Sequence, residues 1–381
     1  MTVRSEMLQL PAVVTNIMVG IFLSTIMTGP ASADALPPCD GGGRIVNLSG
    51  LKVLSNCSIS GNSILGGPGG GVENHGTMVL TNVTISGNST DGDGGGIYNG
   101  PAAVLTLTNV SVTSNTAGGF GGGIANDRGT VQASNVTVTG NTAGFGGGGI
   151  ANLSGSVIGA GFAVANNTTT AGDGGGILNF EGTFCVTSGI DFTACFASPG
   201  GGNSLVTGNH ADGGNGGGFA DEGGSSVLSD STLDGNTAGG GGGLFTEFST
   251  TTLLNITLSN NTATGNGGGL LNSLSAVCCG FGSYATNITI AGNRAGGNGG
   301  GVYTTDSGAT LLNSATIAGN TAAGSGGGLS NDDSTGALTE LLNTLLARND
   351  TNCSGRVVSD GYNLDTGTTC AFTSTGDQSN V

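Results

Sequence analysis

The densest group of side chains with chemical potential in this 381-residue chain is acidic: Asp212, Asp221, Glu222, Asp230 and Asp234 follow one another closely. Carboxylates brought together can share a proton or hold a cation. Asp212, Asp221, Glu222 and Asp234 are therefore the candidate catalytic residues, set against the plainer reading of solvated turn acids. A glycosidase needs two carboxyls about 5–9.5 Å apart. Asp93 and Asp173 occupy matching positions just before Gly-Gly-Gly, but three repeat units separate them, which in a stacked structure is ~14 Å. A polysaccharide lyase needs calcium-holding carboxylates beside an Arg or Lys base. Beyond the leader the bases are Arg44, Lys52, Arg128, Arg294, Arg348 and Arg356. Of these, Arg128, beside Asp127, is the one close to an acid on a central unit. With only His75 and His210, a Ser-His-Asp arrangement has almost no material. Gly296–Gly301 lacks the Asp of calcium-binding nonapeptides, no Lys follows a glycine run to make a phosphate loop, and no C-x-x-C occurs. No cofactor and no metal is expected.

What would position such residues is a repeat. Asn62, Asn88, Asn115, Asn141, Asn167, Asn209, Asn236, Asn261, Asn293 and Asn320 each precede a glycine cluster that ends in an apolar or aromatic residue. Nearly all the steps lie between 25 and 32 residues; the one from Asn167 to Asn209 is 42. A fixed period in the twenties marks a solenoid, in which each unit buries its apolar face on the next. Each unit reads as three short strands: Ile-x-Asn (Ile97–Asn99, Ile124–Asn126, Ile150–Asn152), an alternating run such as Val104–Asn109, and Val-Thr-Ile-type segments such as Val83–Asn88. β-Branched residues dominate and no helical period is present. The fold class expected is all-β: a right-handed, single-stranded parallel β-helix of about 10–11 coils, the handedness following that of parallel crossovers. Stacked amides imply ladders, one through Asn88, Asn115 and Asn141, another through Asn99, Asn126 and Asn152. A further column (Asn56, Asn82, Asn109, Asn135, Asn255, Asn287) suits strand corners, where Asn tolerates left-handed backbone.

Net charge is −17, only 8% of residues are charged, and glycine numbers 80. An acidic chain without a basic patch is a poor partner for nucleic acid. The first 33 residues read as a signal peptide closing on Ala31-Ser32-Ala33, so no span is expected in the mature chain and the location is extracellular or at the cell surface. Residues 34–55 read as an N-terminal cap, 56–349 as the β-helix with insertions at 180–203 and 273–286, and 350–381 as a disulfide-closed end. Eight cysteines in an exported chain favour disulfides; proximity suggests Cys39–Cys57, Cys185–Cys195 and Cys353–Cys370. Cys278 and Cys279 are adjacent, and bridged, cross-paired and free forms all stay open. Insertions in repeat proteins map to loops on one face, often the binding face.

The Gly-Gly-Gly-Ile corner resembles the Gly-Gly-x-Ile repeats of polymorphic outer-membrane proteins, over residues 56 to about 349. Asn352–Leu364 (Asn-Cys-Ser-Gly-Arg-Val-Val-Ser-Asp-Gly-Tyr-Asn-Leu) is similar to the end of the choice-of-anchor group of exported bacterial β-helix proteins. Relatives continue into an anchor or a translocating barrel, whereas too few residues follow Leu364 for a barrel. The resemblance implies a pectate-lyase-like fold and an outer-membrane-associated or secreted scaffold with adhesin-like binding to a host, matrix or glycan partner. Two alternatives stand beside it. One is a polysaccharide lyase or glycoside hydrolase on the same fold. The other is ice or lattice binding through the outward hydroxyls Thr84/Ser86, Ser111/Thr113, Thr137/Thr139 and Thr257/Ser259, a face interrupted by Ala163, Ala165, Asp234 and Ala291.

Overall fold

The computed structural model describes residues 36–186, 203–273 and 282–381. The leader expected at 1–33 lies outside them, as do Cys195, Cys278 and Cys279. The chain winds as a parallel β-solenoid of about eleven turns with three sheets (I, II and III), and its helical content among the described residues is two 3-10 turns, Cys39–Gly41 and Asp333–Thr335.

Sheet II has twelve strands and stacks the Ile-x-Asn segments from Ile45–Asn47 to Cys353–Ser354. The coils therefore begin at Ile45, before the expected boundary at residue 56. Sheet I carries the two alternating segments. In several coils they fuse into one ten-residue strand, as in Thr77–Ser86, Thr130–Thr139 and Thr250–Ser259. The join is a left-handed residue that turns the strand without ending it, Asn82 at φ 54, Asn135 at φ 53 and Asn255 at φ 56. Sheet III was not anticipated. It consists of ten two-residue strands directly after the ladder asparagines, from Ser63–Ile64 to Thr321–Ala322. Two residues are too short to show an alternation, which is why its pattern is invisible in the sequence.

The core is a narrow column of stacked like residues. Ile97, Ile124, Ile150, Ile177, Phe219 and Leu244 follow one another up sheet II, all buried. Two ladders run beside them. Asn115 Nδ2 donates to Asn141 Oδ1 at 3.0 Å, and Asn141 Nδ2 to Asn167 Oδ1 at 2.9 Å. In sheet II, Asn99 donates to Asn126 at 2.8 Å and Asn126 to Asn152 at 2.7 Å. The glycine corner is needed for two reasons. Gly147 sits at φ +62, and a Cβ on Gly148 would lie 2.3 Å from the carbonyl oxygen of Gly175 on the next coil. Coils can approach at strand spacing only where no side chain intervenes.

The first stretched unit keeps residues 183–186 in sheet I, paired with 156–159, and sheet I resumes at Ser204–Thr207. The extra residues thus enter inside a sheet I strand, at the position of the left-handed Asn, rather than directly behind Asn179. In the second unit sheet II runs to Ser273 and sheet I resumes at Gly282. Cys39–Cys57 and Cys353–Cys370 are disulfides, with Cα separations of 5.0 and 4.8 Å. Cys185 is disulfide-bonded.

Among the described residues one buried hydroxyl has no hydrogen-bond partner: Thr169 Oγ1, at the inner position of sheet III, where neighbouring coils carry Ala143 and Ala211. An unsatisfied buried hydroxyl costs about 1–3 kcal/mol. Thr169→Val, which keeps the shape and removes the oxygen, should raise the denaturation midpoint by the equivalent of about 1 kcal/mol. A lowered midpoint would mean that the hydroxyl is hydrogen-bonded.

Candidate functional site

The four candidate carboxylates do not converge. Asp212 follows the sheet III strand His210–Ala211 and is exposed. Asp234 ends a sheet I strand and accepts from Ser259 Oγ at 2.6 Å and Asn260 Nδ2 at 2.8 Å. Asp221 points inward. It occupies an asparagine place in the sheet II ladder, accepting from Asn179 Nδ2 and from Thr251 Oγ1, both at 2.8 Å, and it is fully buried. Burial pushes its carboxyl up to about 6, against the hydrogen bonds that favour the ionised form. Glu222, the next residue, faces the opposite way because successive strand side chains alternate. Sequence proximity brought the four together; three sheets and the strand alternation send them apart. Among the described residues no group of three or more His, Cys, Asp or Glu is arranged to hold a metal ion.

Glu222 instead joins a cleft that sequence reading missed. The last residues of four successive sheet II strands line up in register as Asp127, Leu153, Phe180 and Glu222. Opposite them the glycine corners bring in Phe120, Phe145 and Asp173, with Leu178 between. The volume of this open cleft is about 430 Å³. Phe120 and Phe145 come from adjacent coils, and their rings are 5.9 Å apart and tilted by 44°. Phe145 is 59% exposed and Phe180 41%. On the cleft's inner side, Phe120 and Leu271 pack on Leu178, Ala220 and Phe245, a second apolar cluster outside the main core. That cluster exists because the glycine corners fold over the outward side chains of sheet II: a Cβ on Gly146 would lie 2.8 Å from Leu178 Cδ2.

The electrostatics of the cleft are those of crowded acids. The Glu222 carboxyl is raised to about 8, first by burial, then by the Asp173 carboxylate within hydrogen-bonding reach, then by repulsion from Asp173, Glu247 and Asp221. Its Oε1 is buried and finds no donor. The two facts agree: an ionised Glu222 has nothing to accept from at Oε1, whereas a protonated one can donate to Asp173. Asp173 Oδ1 in turn accepts from the backbone N–H of Asn215 at 2.6 Å. Glu247, one coil further on, is also raised, by burial and by repulsion from Asp173 and Asp306. Asp127 is lowered, chiefly by the hydrogen bonds from Arg128 at 2.8 and 3.1 Å, and it accepts from Tyr98 OH at 2.9 Å. Burial and that same bond raise the Tyr98 phenol.

Asp93, like Asp173, ties down the glycine corner of the next coil, accepting from the backbone N–H of Phe120 at 2.8 Å. His210 Nδ1 meets Thr237 Oγ1 at 2.6 Å on sheet III. The hydroxyl rows of sheet I are interrupted as the sequence indicated: Thr137 is followed by Ala163 and Leu205, and Thr207 by Asp234. Two signals for the cleft were present in the sequence. Phe120 and Phe145 are the aromatic residues of the glycine corners, and the position after the closing ladder residue is acidic at Asp127, Glu222 and Glu247.

Three segments of the chain, residues 82–100, 255–273 and 287–305, match the Chlamydia polymorphic membrane protein repeat. Each runs from a left-handed Asn through sheet III and the glycine corner into a sheet II strand. Repeat and solenoid together fit a polymorphic outer-membrane-protein-like β-helix. No curated protein and no solved structure matches the chain. Among the described residues no helix is long and apolar enough to cross a membrane.

Proposed function

We propose that this surface-protein type of β-helix is a secreted or cell-surface scaffold with adhesin-like binding to a host, matrix or glycan partner, and that the cleft over sheet II is where the partner docks. One observation carries the choice of site: Phe145 and Phe180 stand exposed in the lining of a formed cleft, together with Phe120 and Leu178. Exposed aromatics around a concavity are typical of recognition sites. An acidic partner, nucleic acid included, would meet like charge there.

Geometry supports binding over catalysis. Asp173 and Glu222 act on each other directly, through a shared hydrogen bond and repulsion, whereas a glycosidase leaves ~5–9.5 Å between its carboxyls for sugar or water. Arg128, the base a lyase would need near this cleft, is engaged by Asp127. Asp221 is buried in the ladder, so the residue that tests for turnover is Glu222.

The mature protein should therefore bind in a whole-cell and glycan-array screen, and the double variant Phe145→Ala/Phe180→Ala should lose at least about tenfold in apparent affinity. Its denaturation midpoint should stay close to the parent's, since both rings lie outside the main core and are 59% and 41% exposed. Undiminished binding by the variant would remove the cleft from the reading. Turnover of a polysaccharide that vanishes in Glu222→Gln would replace the scaffold by an enzyme.

A further inference from the structure

We infer that the occupant of the cleft is a lysine side chain presented by a protein partner, its stem on the phenylalanines and its ammonium on Glu222 and Asp173. The inference rests on the reading of the cleft as a docking site and adds the chemistry of what docks. Three features of the molecule point the same way.

The first is an unmet acceptor. Glu222 Oε1 is buried without a donor, and the charges that act on the carboxyl are acids from several elements. Asp173 comes from the glycine corner, Asp221 from its own strand and Glu247 from the next coil. Asp127 lies on the far side of the cleft, already neutralised by Arg128. Oε1 is covered, so an arriving cation reaches it once the Glu222 carboxyl turns toward the cleft, and there it would satisfy the orphaned oxygen and relieve the repulsion.

The second is the apolar part of the lining, which both sides of the cleft supply. Phe120, Phe145, Leu178 and Phe180 line an apolar surface, with two of the rings inclined to each other. Methylene stems pack well on such faces, and an ammonium near aromatic faces gains from their quadrupoles. A metal ion or a small inorganic cation would leave this surface empty. A neutral apolar ligand would leave the carboxylates unmatched.

The third is the placement of the acceptors. Glu222 and Asp173 reach in from different elements, the end of a sheet II strand and a glycine corner. A tetrahedral ammonium has three diverging donors for acceptors on separate walls, whereas a guanidinium is matched by one carboxylate held edge-on. Lysine fits better than arginine.

The test uses the full chain and the capped peptide acetyl-Phe-Lys-Phe-amide, with its Nε-acetyl-lysine and arginine counterparts, in calorimetric titrations at pH 7.5. The lysine peptide should bind at least about tenfold more tightly than the acetylated one, which keeps the stem and loses the charge. Glu222→Gln should reduce the lysine peptide to the level of the acetylated peptide, with the denaturation midpoint checked to show that the variant folds. A second readout is the carboxyl carbon resonance of Glu222. A tenfold preference for the ionised form displaces its titration midpoint downward by about one pH unit when the peptide is present. Equal binding of lysine and acetylated peptides, insensitive to Glu222→Gln, would overturn the ammonium and leave the cleft as an apolar docking site. Tighter binding of the arginine peptide would overturn the choice of lysine. No binding by any peptide, with the Glu222 titration unmoved, would overturn the inference outright. The Phe145/Phe180 variant in the whole-cell screen then judges the docking reading separately.

Discussion

Replacing Asp221 with Asn should stabilise the protein by about 3 kcal/mol at pH 8 and by almost nothing at pH 4. Asp221 sits fully buried in an amide ladder, and burial raises its carboxyl from the ordinary 3.8 to about 6. An acid whose folded value is raised costs nothing while both states keep the proton. As pH rises through 3.8, the unfolded chain ionises first and stability falls, by ~1.4 kcal/mol per pH unit, until the folded state ionises as well near pH 6. Above that the penalty is constant. Asn carries no charge at any pH and can keep the bond from Asn179, while Thr251 turns its hydroxyl from donor to acceptor. Denaturant midpoints of parent and Asp221→Asn at pH 4, 6 and 8 should diverge in that order. Parallel curves would mean that Asp221 is solvated and that the ladder opens at this coil.

Asn141→Ala should cost about 3 kcal/mol, because the amide serves four bonds at once. Asn141 Oδ1 accepts from both the backbone N and the Nδ2 of Asn115, at 2.9 and 3.0 Å. Its Nδ2 donates to Val112 O and to Asn167 Oδ1, each at 2.9 Å. Truncation leaves the backbone N–H of Asn115 and one of its amide protons buried without acceptors. Asn135 is the natural control. It belongs to the outer column, is exposed, and touches Asn109 at 3.3 Å. There the requirement is left-handed backbone, φ 53, which glycine meets equally well. Asn135→Gly should change stability by no more than about 0.5 kcal/mol. Equal losses at the two positions would mean that the columns are not distinguished as inner and outer.

The solenoid was legible because a repeat states its own geometry. Recurrent Asn at 25–32 residues, with Ile at a fixed distance, can bury like on like only by stacking coils. The two inner Asn columns, the corner glycines and the pairing of cysteines near in sequence, Cys39 with Cys57 and Cys353 with Cys370, follow from the same local logic. Sheet III escaped notice because a two-residue strand carries no period. The fusion of two predicted strands in sheet I escaped because left-handed Asn turns a strand without terminating it.

The candidate site is a different matter. That Asp221 and Glu222 are adjacent says nothing of their fates until a register assigns one to the core and the other to the outside. The union of Glu222 with Asp173 and with two phenylalanines from other coils depends on how far the glycine corners fold over sheet II. Sequence alone determined what repeats, since each coil sees the same neighbours above and below. Only the tertiary structure decided where the exceptions meet, since residues that break the repeat take their surroundings from coils 25 or more residues away.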